Sequence, residues 1–150
     1  MIFQMAYVSN VAQGVTIQDC QEIATQSEIN NARDGVTGCL MLYDGWFIQI
    51  LEGAVGSVNR IYGRIMADER HSYPTVLGAE YIHARTFPVW RMRVIQVKKT
   101  EHADSIIRRY NPSTGFDPIA LDRLGCVAML CELISLEDSE GVKEPSGLRC

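Results

Sequence analysis

Residues 36–52 read VTGCLMLYDGWFIQILE, two apolar runs joined by Asp44-Gly45. An Asp-Gly pair suits the positive φ angles of a two-residue type I′ turn, and the flanking runs have the composition of strands. The stretch therefore predicts a β-hairpin with strands at 36–43 and 46–52. Gln49 lies in the second strand, where both faces are apolar. A buried amide without a partner costs roughly 1–3 kcal/mol, so Gln49 requires a polar neighbour.

The segments around the hairpin predict the rest of a sheet and two helices. Residues 2–9 alternate as a strand, residues 16–31 begin with a capping box, and residues 55–68 carry a helical apolar stripe. Loop signals follow at 71–74, and strands are expected near 75–83 and 90–97. This order predicts an α+β, ferredoxin-like sandwich, with a five-stranded mixed sheet and two helices on one face.

The C-terminal third predicts a cover for the other sheet face. The run 119–136 is apolar nearly all round a helical projection, so C-terminal helices are expected to pack there and to favour self-association. Its three charged residues argue against a membrane span. The chain is thus divided into a domain at 1–97, a helical extension at 98–136 and a disordered tail at 137–150.

Composition and motifs exclude several classes of protein. The 150 residues, 47% hydrophobic and 21% charged, indicate one globular domain, and a net charge of -4 argues against nucleic-acid binding. The N-terminus lacks a secretory signal, and the odd number of cysteines suits reduced thiols, so a cytoplasmic location is expected. The chain has no CxxC or HxxxH pair, GxGxxG, Walker loop or GxSxG. Neither a metal site nor an enzyme is indicated.

Two polar residues besides Gln49 lie where a core is expected. Tyr7 is midway along the first strand and could meet Gln49 across the sheet, either as a structural hydrogen bond or as part of a site. Asn31 lies on the core-facing stripe of the first helix, where it could instead be a C-cap. Both readings remain open from spacing alone.

Charged and aromatic residues near the second helix and the last strand allow similar alternatives. Asp68 either pairs with Arg64 four residues earlier or holds a ligand, because the helix dipole disfavours a carboxylate there. Trp90 and Met92 should face the same interior as Gln49, with ordinary packing as the default, while Arg91 and Arg93 face the opposite side.

Five separated segments together resemble the BLUF family, the sensors of blue light using FAD. The segments are Tyr7-Val8-Ser9, Asn30-Asn31-Ala32-Arg33 with Gly35-Val36-Thr37-Gly38, Phe47-Ile48-Gln49-Ile50-Leu51-Glu52-Gly53, Asp68-Glu69-Arg70-His71 and Phe87-Pro88-Val89-Trp90-Arg91-Met92. The resemblance covers residues 1–97 in one register. Arg91 departs from the family, which usually has Ser between the Trp and the Met.

This resemblance implies a non-covalent flavin, FAD in most members, with FMN or riboflavin as alternatives. The ring would lie between the two helices, with Asn31 bonded to its edge and Asn30 beside it. Ile23 and Ile65 would sandwich the ring. Its polar rim would be bordered by Arg64, Asp68, Arg70 and His71.

The resemblance also implies a photochemical switch. Light excites the flavin, Tyr7 donates an electron and a proton relayed by Gln49, and Gln49 is left flipped or tautomerised. Exchange of Trp90 or Met92 would carry the signal to the last strand. A separate effector is expected, either a cyclic-dinucleotide enzyme or a transcription regulator. The alternatives are a small flavin-dependent oxidoreductase and a ligand or interaction module without a chromophore.

Overall fold

The computed structural model describes residues 1–89 and 91–140. Five strands and four helices form the fold, with a 3₁₀ turn before the last helix. In chain order they are β1 (Ile2–Val11), α1 (Ile17–Asp34), β2 (Thr37–Tyr43), β3 (Trp46–Gly53), α2 (Val55–Ala67), β4 (His71–Ile82), β5 (Arg93–Gln96), α3 (Glu101–Tyr110), the 3₁₀ turn (Pro118–Ala120) and α4 (Arg123–Ser139).

The strands form one mixed sheet in the order β4-β1-β3-β2-β5. The β1–β3, β1–β4 and β2–β3 pairs are antiparallel, whereas β5 joins β2 in parallel. Side chains of α1 and α2 pack on one face of the sheet, and those of α3 and α4 pack on the other. The predicted fold class is therefore confirmed.

The predicted hairpin forms as β2 and β3. Asp44 and Gly45 both have positive φ angles, 50° and 79°, as the type I′ turn requires. The strands approach so closely at Gly38 that a Cβ atom built there would lie 1.9 Å from the backbone oxygen of Ile50. Only glycine fits this position, because any other side chain would force the two backbones apart.

The prediction of a loop at 71–74 is wrong, because β4 begins at His71. His71 pairs with Val11 at the start of a twelve-residue strand that has two register shifts against β1. Tyr73 has a positive φ of 51° within this region. Pro74 is tolerated because β4 is an edge strand, where a missing N–H need not break the sheet.

Two further boundaries differ from the prediction. Helix α1 continues past Asn31 to Asp34 and ends at Gly35, which has the left-handed conformation (φ 67°) of a helix C-cap. Asn31 is therefore not the cap. The last strand is only Arg93–Gln96, shorter than the predicted 90–97. Alternation consequently does not apply to Arg91, which donates to the Ala32 carbonyl at 3.3 Å instead of facing the opposite side of the sheet.

The C-terminal helices cover the second face as predicted, with different limits. Helix α4 begins after Asp122, whose side chain accepts from the Gly125 N–H at 2.6 Å. It continues through residues 137–139, which were predicted to start a disordered tail. Most of that predicted tail, residues 141–150, lies outside the described residues. Within the described ranges, none of the helices has the combined length and apolar character needed to cross a bilayer.

Replacing Gly38 by alanine should destabilise the protein, whereas the same change at Gly63 should not. The new methyl group at position 38 would overlap the Ile50 carbonyl, which should lower the free energy of unfolding by at least about 3 kcal/mol. Gly63 is exposed on helix α2 with open space around it, so alanine there should add about 0.5–1 kcal/mol. Urea unfolding measures both, and equal effects would contradict the close approach of β2 to β3.

Candidate functional site

Tyr7 and Gln49 are directly opposite each other on β1 and β3. Both side chains are fully buried on the sheet face that α1 and α2 cover. The Tyr7 hydroxyl donates a hydrogen bond to Gln49 Oε1. The contact expected from strand alternation therefore forms, and it satisfies the acceptor end of the buried amide.

Met92 lies at the other end of the Gln49 amide. Gln49 Nε2 donates to the Met92 sulfur at 3.4 Å, and Met92 is itself buried. A thioether is a weak acceptor, so this bond is the weaker of the two that Gln49 makes. Trp90, the alternative residue for this position, lies outside the described residues.

The environment of Tyr7 keeps its phenol neutral. Burial is the largest cause that raises the pKa of Tyr7 well above its usual value of 10.0, and Tyr62 and Asp68 raise it further. The Tyr62 ring meets the Tyr7 ring edge-on, with 5.3 Å between centroids. Tyr7 thus holds its proton throughout the physiological range while its hydroxyl points at one acceptor.

A cleft between α1 and α2 opens beside this pair. Its cavity volume is about 60 Å³. This volume is well below the usual range for small-molecule sites. The cleft brings together all the predicted binding residues except Gln49: Ile23, Asn30, Asn31, Arg64, Ile65, Asp68, Arg70 and His71.

Three further residues line the cleft that were not predicted as site residues, namely Gln26, Ser27 and Ile61. Helical spacing could have found them. Gln26 lies three residues after Ile23 and four before Asn30, and Ser27 lies four after Ile23 and four before Asn31. Ile61 lies four residues before Ile65. They therefore share the faces of α1 and α2 that carry the predicted residues.

Asn31 has an unsatisfied acceptor in the wall of this cleft. Its Nδ2 donates to the Arg91 carbonyl at 2.7 Å, which ties α1 to the segment before β5. Its Oδ1 is buried and has no hydrogen-bond partner among the residues that the structure describes. Because a buried polar atom without a partner is costly, this oxygen indicates a donor supplied by a ligand.

Arg64, which lines the cleft, belongs to a cluster of three arginines around Asp34. Arg64 does not pair with Asp68; it donates to Asp34 at 2.9 Å, and Arg60 and Arg33 lie 3.8 and 4.0 Å from the same carboxylate. The hydrogen bond from Arg64 is the largest cause that lowers the pKa of Asp34. Three arginines around one carboxylate leave a net positive surface suited to an anion.

Asp68 pairs instead with Arg70. It follows the last residue of α2 in an extended conformation, so its side chain leaves the helix face that Arg64 occupies. Arg70 Nη2 donates to Asp68 at 2.7 Å, and the hydrogen bonding from Arg70 is the largest cause that lowers the pKa of Asp68. The sequence predicted Arg64 or a ligand as the partner of Asp68 and did not indicate Arg70, which is the partner in the structure.

His71 joins the cleft to the interior of the sheet. Its Nδ1 lies 2.8 Å from the Ser9 hydroxyl, and its ring centroid is 4.5 Å from that of Phe47. Burial is the largest cause that lowers the pKa of His71, although Asp68 opposes it. No cluster of His, Cys, Asp and Glu able to hold a metal occurs in residues 1–89 and 91–140.

Comparison with known proteins matches the chain to one family. The model of the BLUF family, described as sensors of blue-light using FAD, matches residues 2–93. Photoactivated adenylate cyclase subunit beta of Euglena gracilis is 30% identical over 84 residues, which cover 56% of this chain and 10% of that protein. The blue light- and temperature-regulated antirepressor BluF of Escherichia coli K12 is 26% identical over 114 residues, 76% of this chain and 28% of the relative.

Solved structures agree with this match. The dark-state structure of BlrB, a BLUF protein, superposes with a TM-score of 0.72 at 27% identity, covering 91% of this chain and 96% of that one. The two curated relatives are much longer, since this chain matches only a tenth to about a quarter of their length.

The buried imidazole predicts a pH dependence of stability. Because the pKa of His71 is lower in the folded chain than its ordinary 6.5, the unfolded state binds more protons below that pH, and the free energy of unfolding should fall as the pH drops from about 7.5 to about 5. A His71→Gln variant should lose this part of the dependence. Urea unfolding at both pH values measures it, and an equal fall in the variant would contradict it. The carboxylates with lowered pKa, Asp34 and Asp68, lose their contribution only around and below 3.8.

Proposed function

The chain belongs to the BLUF family of sensors of blue-light using FAD, and on that premise we propose that it is a flavin-binding photoreceptor switched by Tyr7 and Gln49. The observation that carries the proposal is the bonding of Gln49. Its buried amide accepts from Tyr7 and donates to Met92. One side chain therefore has two distinguishable ends, each tied to a different element of the fold.

The residues that line the cleft between α1 and α2 have the chemistry to hold the flavin that the family binds. The buried Oδ1 of Asn31 would accept a hydrogen bond from an imide N–H of the ring. Ile23 on α1 and Ile65 on α2 line the cleft from its two helices and would contact the apolar ring faces. Asn30 would lie beside the ring edge.

The charged residues of the rim would hold the phosphates. Arg64, Arg70 and His71 line the cleft together with Asp68, and guanidinium groups are suited to bidentate bonds with phosphate oxygens. Arg64 and Arg70 are already oriented by carboxylates, at 2.9 and 2.7 Å. This arrangement favours FAD or FMN over riboflavin, which has no phosphate.

The flavin, when bound, supplies the absorption of blue light and an excited state that takes up an electron. Tyr7 is the electron source in this proposal, because its phenol is neutral and its proton already has an acceptor. Loss of an electron makes a phenol strongly acidic, so the proton would move along the existing hydrogen bond to Gln49 Oε1. The amide oxygen would then be a donor and could no longer accept from Tyr7.

The electron and a proton would then return to Tyr7, so that no net oxidation remains, and Gln49 would store the result by rotating or changing tautomer. Rotation of the amide would exchange its N–H and C=O ends, so the Met92 sulfur would lose its N–H donor. The dark arrangement would return when the amide rotates back. The pair thus behaves as a two-state element whose change reaches β5 through Met92.

We further propose that the signal is passed to a separate effector protein. The relatives include a subunit of a photoactivated adenylate cyclase and a light-regulated antirepressor. A nucleotide-cyclising or cyclic-dinucleotide enzyme, or a transcription regulator, is therefore the kind of partner expected. A cytoplasmic location and self-association of the chain remain predictions from the sequence.

Removing the Tyr7 hydroxyl should abolish the photochemical response. Flavin-loaded parent protein should show a reversible red shift of its absorbance in blue light, and Tyr7→Phe should show none because no proton can pass to Gln49. Tyr62→Phe is the matched control, since Tyr62 touches the Tyr7 ring without contacting Gln49 through any described hydrogen bond; it should keep the shift. A normal shift in Tyr7→Phe would refute the switch. Steady NAD(P)H consumption in the dark would favour the oxidoreductase alternative.

Removing the Asn31 amide should weaken flavin binding. Asn31→Ala deletes the buried Oδ1 that lacks a partner, and loss of one hydrogen bond to the ring should raise the Kd about tenfold. Gln21→Ala is the control, because Gln21 is an exposed amide of α1 that does not line the cleft. Fluorescence titration with FAD measures both affinities. Equal losses would contradict the assignment of Asn31 to the ring edge.

A further inference from the structure

We propose that Arg93 forms a latch that docks the C-terminal end of α4 on the sheet, and that rearrangement of Gln49 releases it. The release rests on the proposed function, whereas the docking rests on the structure alone. The latch consists of Arg93 on β5 with Glu137 and Asp138 on α4. It would turn a change beside the flavin into a change on the opposite face of the sheet.

The Arg93 guanidinium is buried against α4. Its side chain is 1% exposed, and Nη2 donates to Glu137 Oε1 at 2.8 Å and to Asp138 Oδ1 at 2.9 Å. A buried guanidinium is retained in a core only where charged or polar partners compensate its desolvation. The two carboxylates provide that compensation, so the position of Arg93 depends on the last turn of α4.

The last turn of α4 depends in turn on Arg93. Glu137 and Asp138 lie at the C-terminus of the helix, where the macrodipole disfavours carboxylates, and no basic residue occurs in that turn. Ile134 is the last fully buried side chain of the helix. Beyond it, Leu136 packs only partly against the core. Without its arginine, this end of the helix would lose two ion pairs and would have little buried apolar surface.

Arg93 is the immediate neighbour of the residue that touches the switch. Met92 accepts from Gln49 on the α1–α2 face, and Arg93 points to the α4 face. Because successive residues of an extended chain share one backbone, a displacement of Met92 moves the Arg93 backbone as well. Strand β5 has four residues and pairs with β2 alone among the described strands, so fewer backbone hydrogen bonds resist such a shift than in a central strand.

The N-terminal end of α4 is held by a different arginine that provides a contrast. Arg123 is also buried and donates to Gln4 Oε1 and, at 2.8 Å, to Glu80. Gln4 lies on central strand β1 and donates to Glu52 of β3 at 2.8 Å. Strands β1 and β3 are paired on both sides, and none of Gln4, Glu80 and Glu52 has a described hydrogen bond to Met92. The N-terminal end should therefore stay docked when the C-terminal end is released.

Hydrogen–deuterium exchange of the flavin-loaded protein, in the dark and under blue light, tests the latch. In the parent, light should raise the exchange of residues 131–139 about tenfold and leave residues 123–130 unchanged. The double variant Glu137→Gln/Asp138→Asn keeps the side-chain shapes and should show the faster exchange already in the dark, with no further light effect. Its absorbance shift should persist, because the switch itself is intact.

Glu132→Gln serves as the matched control. It removes a carboxylate from the same helix, but one that pairs with Arg109 at an exposed site, so the light response of residues 131–139 should match that of the parent. If Arg93→Met folds, it should show the same fast dark exchange as the double variant. If it does not fold, Glu137→Gln/Asp138→Asn alone tests the latch.

Separate results would overturn the latch and the photoreceptor. A normal absorbance shift with unchanged exchange at 131–139 would overturn the release, and unchanged dark exchange in the double variant would overturn the docking. Absence of any absorbance shift in the parent would overturn the proposed function and the release with it, while the dark comparison would still decide the docking.

Discussion

The amide of Gln49 is buried in the middle of the sheet and must be satisfied at both of its ends. Tyr7 provides a donor for its oxygen, and Met92 provides an acceptor for its nitrogen. These partners come from β1 and from the segment entering β5, so a single side chain links three parts of the chain. Much of the architecture can be understood from this requirement, because the strand order must bring all three together.

The two faces of the sheet are covered differently. On one face, α1 and α2 stand apart enough to leave a cleft that carries an unsatisfied amide oxygen and a positively charged rim. On the other face, α4 packs on a continuous apolar surface with a buried arginine near each end. A side chain on one face adjoins, along the strand, a side chain on the other. Met92 and Arg93 are adjacent in this way: Met92 contacts Gln49 on the α1–α2 face, and Arg93 contacts Glu137 of α4 on the other face.

Charged groups in this protein are placed where helices end. Asp34 closes α1 and gathers three arginines, Asp68 follows α2 and takes Arg70, and the carboxylates that end α4 take Arg93. Each of these carboxylates lies at a helix C-terminus, where the dipole alone would disfavour it. The paired arginine offsets that cost in each case. Two of these arginines, Arg64 and Arg70, also line the cleft.

The sequence by itself determined the elements and the identity of the family. Period-two and helical patterns, the Asp44-Gly45 turn and the capping box are local signals, so the order of elements along the chain, the two-helix face and the hairpin followed from them. The same alternation placed Tyr7 within reach of Gln49. The errors were also local in kind. His71–Pro74 looked like a loop because a proline was taken as a break, although an edge strand tolerates it.

Only the tertiary structure decided which charges pair. Arg64 and Asp68 have the spacing of a helical ion pair, yet Arg64 bonds Asp34 across two helices and Asp68 bonds Arg70 beyond the helix end. Arg93 and Glu137 are separated by most of the C-terminal extension, so no periodicity connects them. The physical reason is that backbone periodicity reports on neighbours within a few residues, whereas ion pairs and cleft walls depend on how whole elements are packed together.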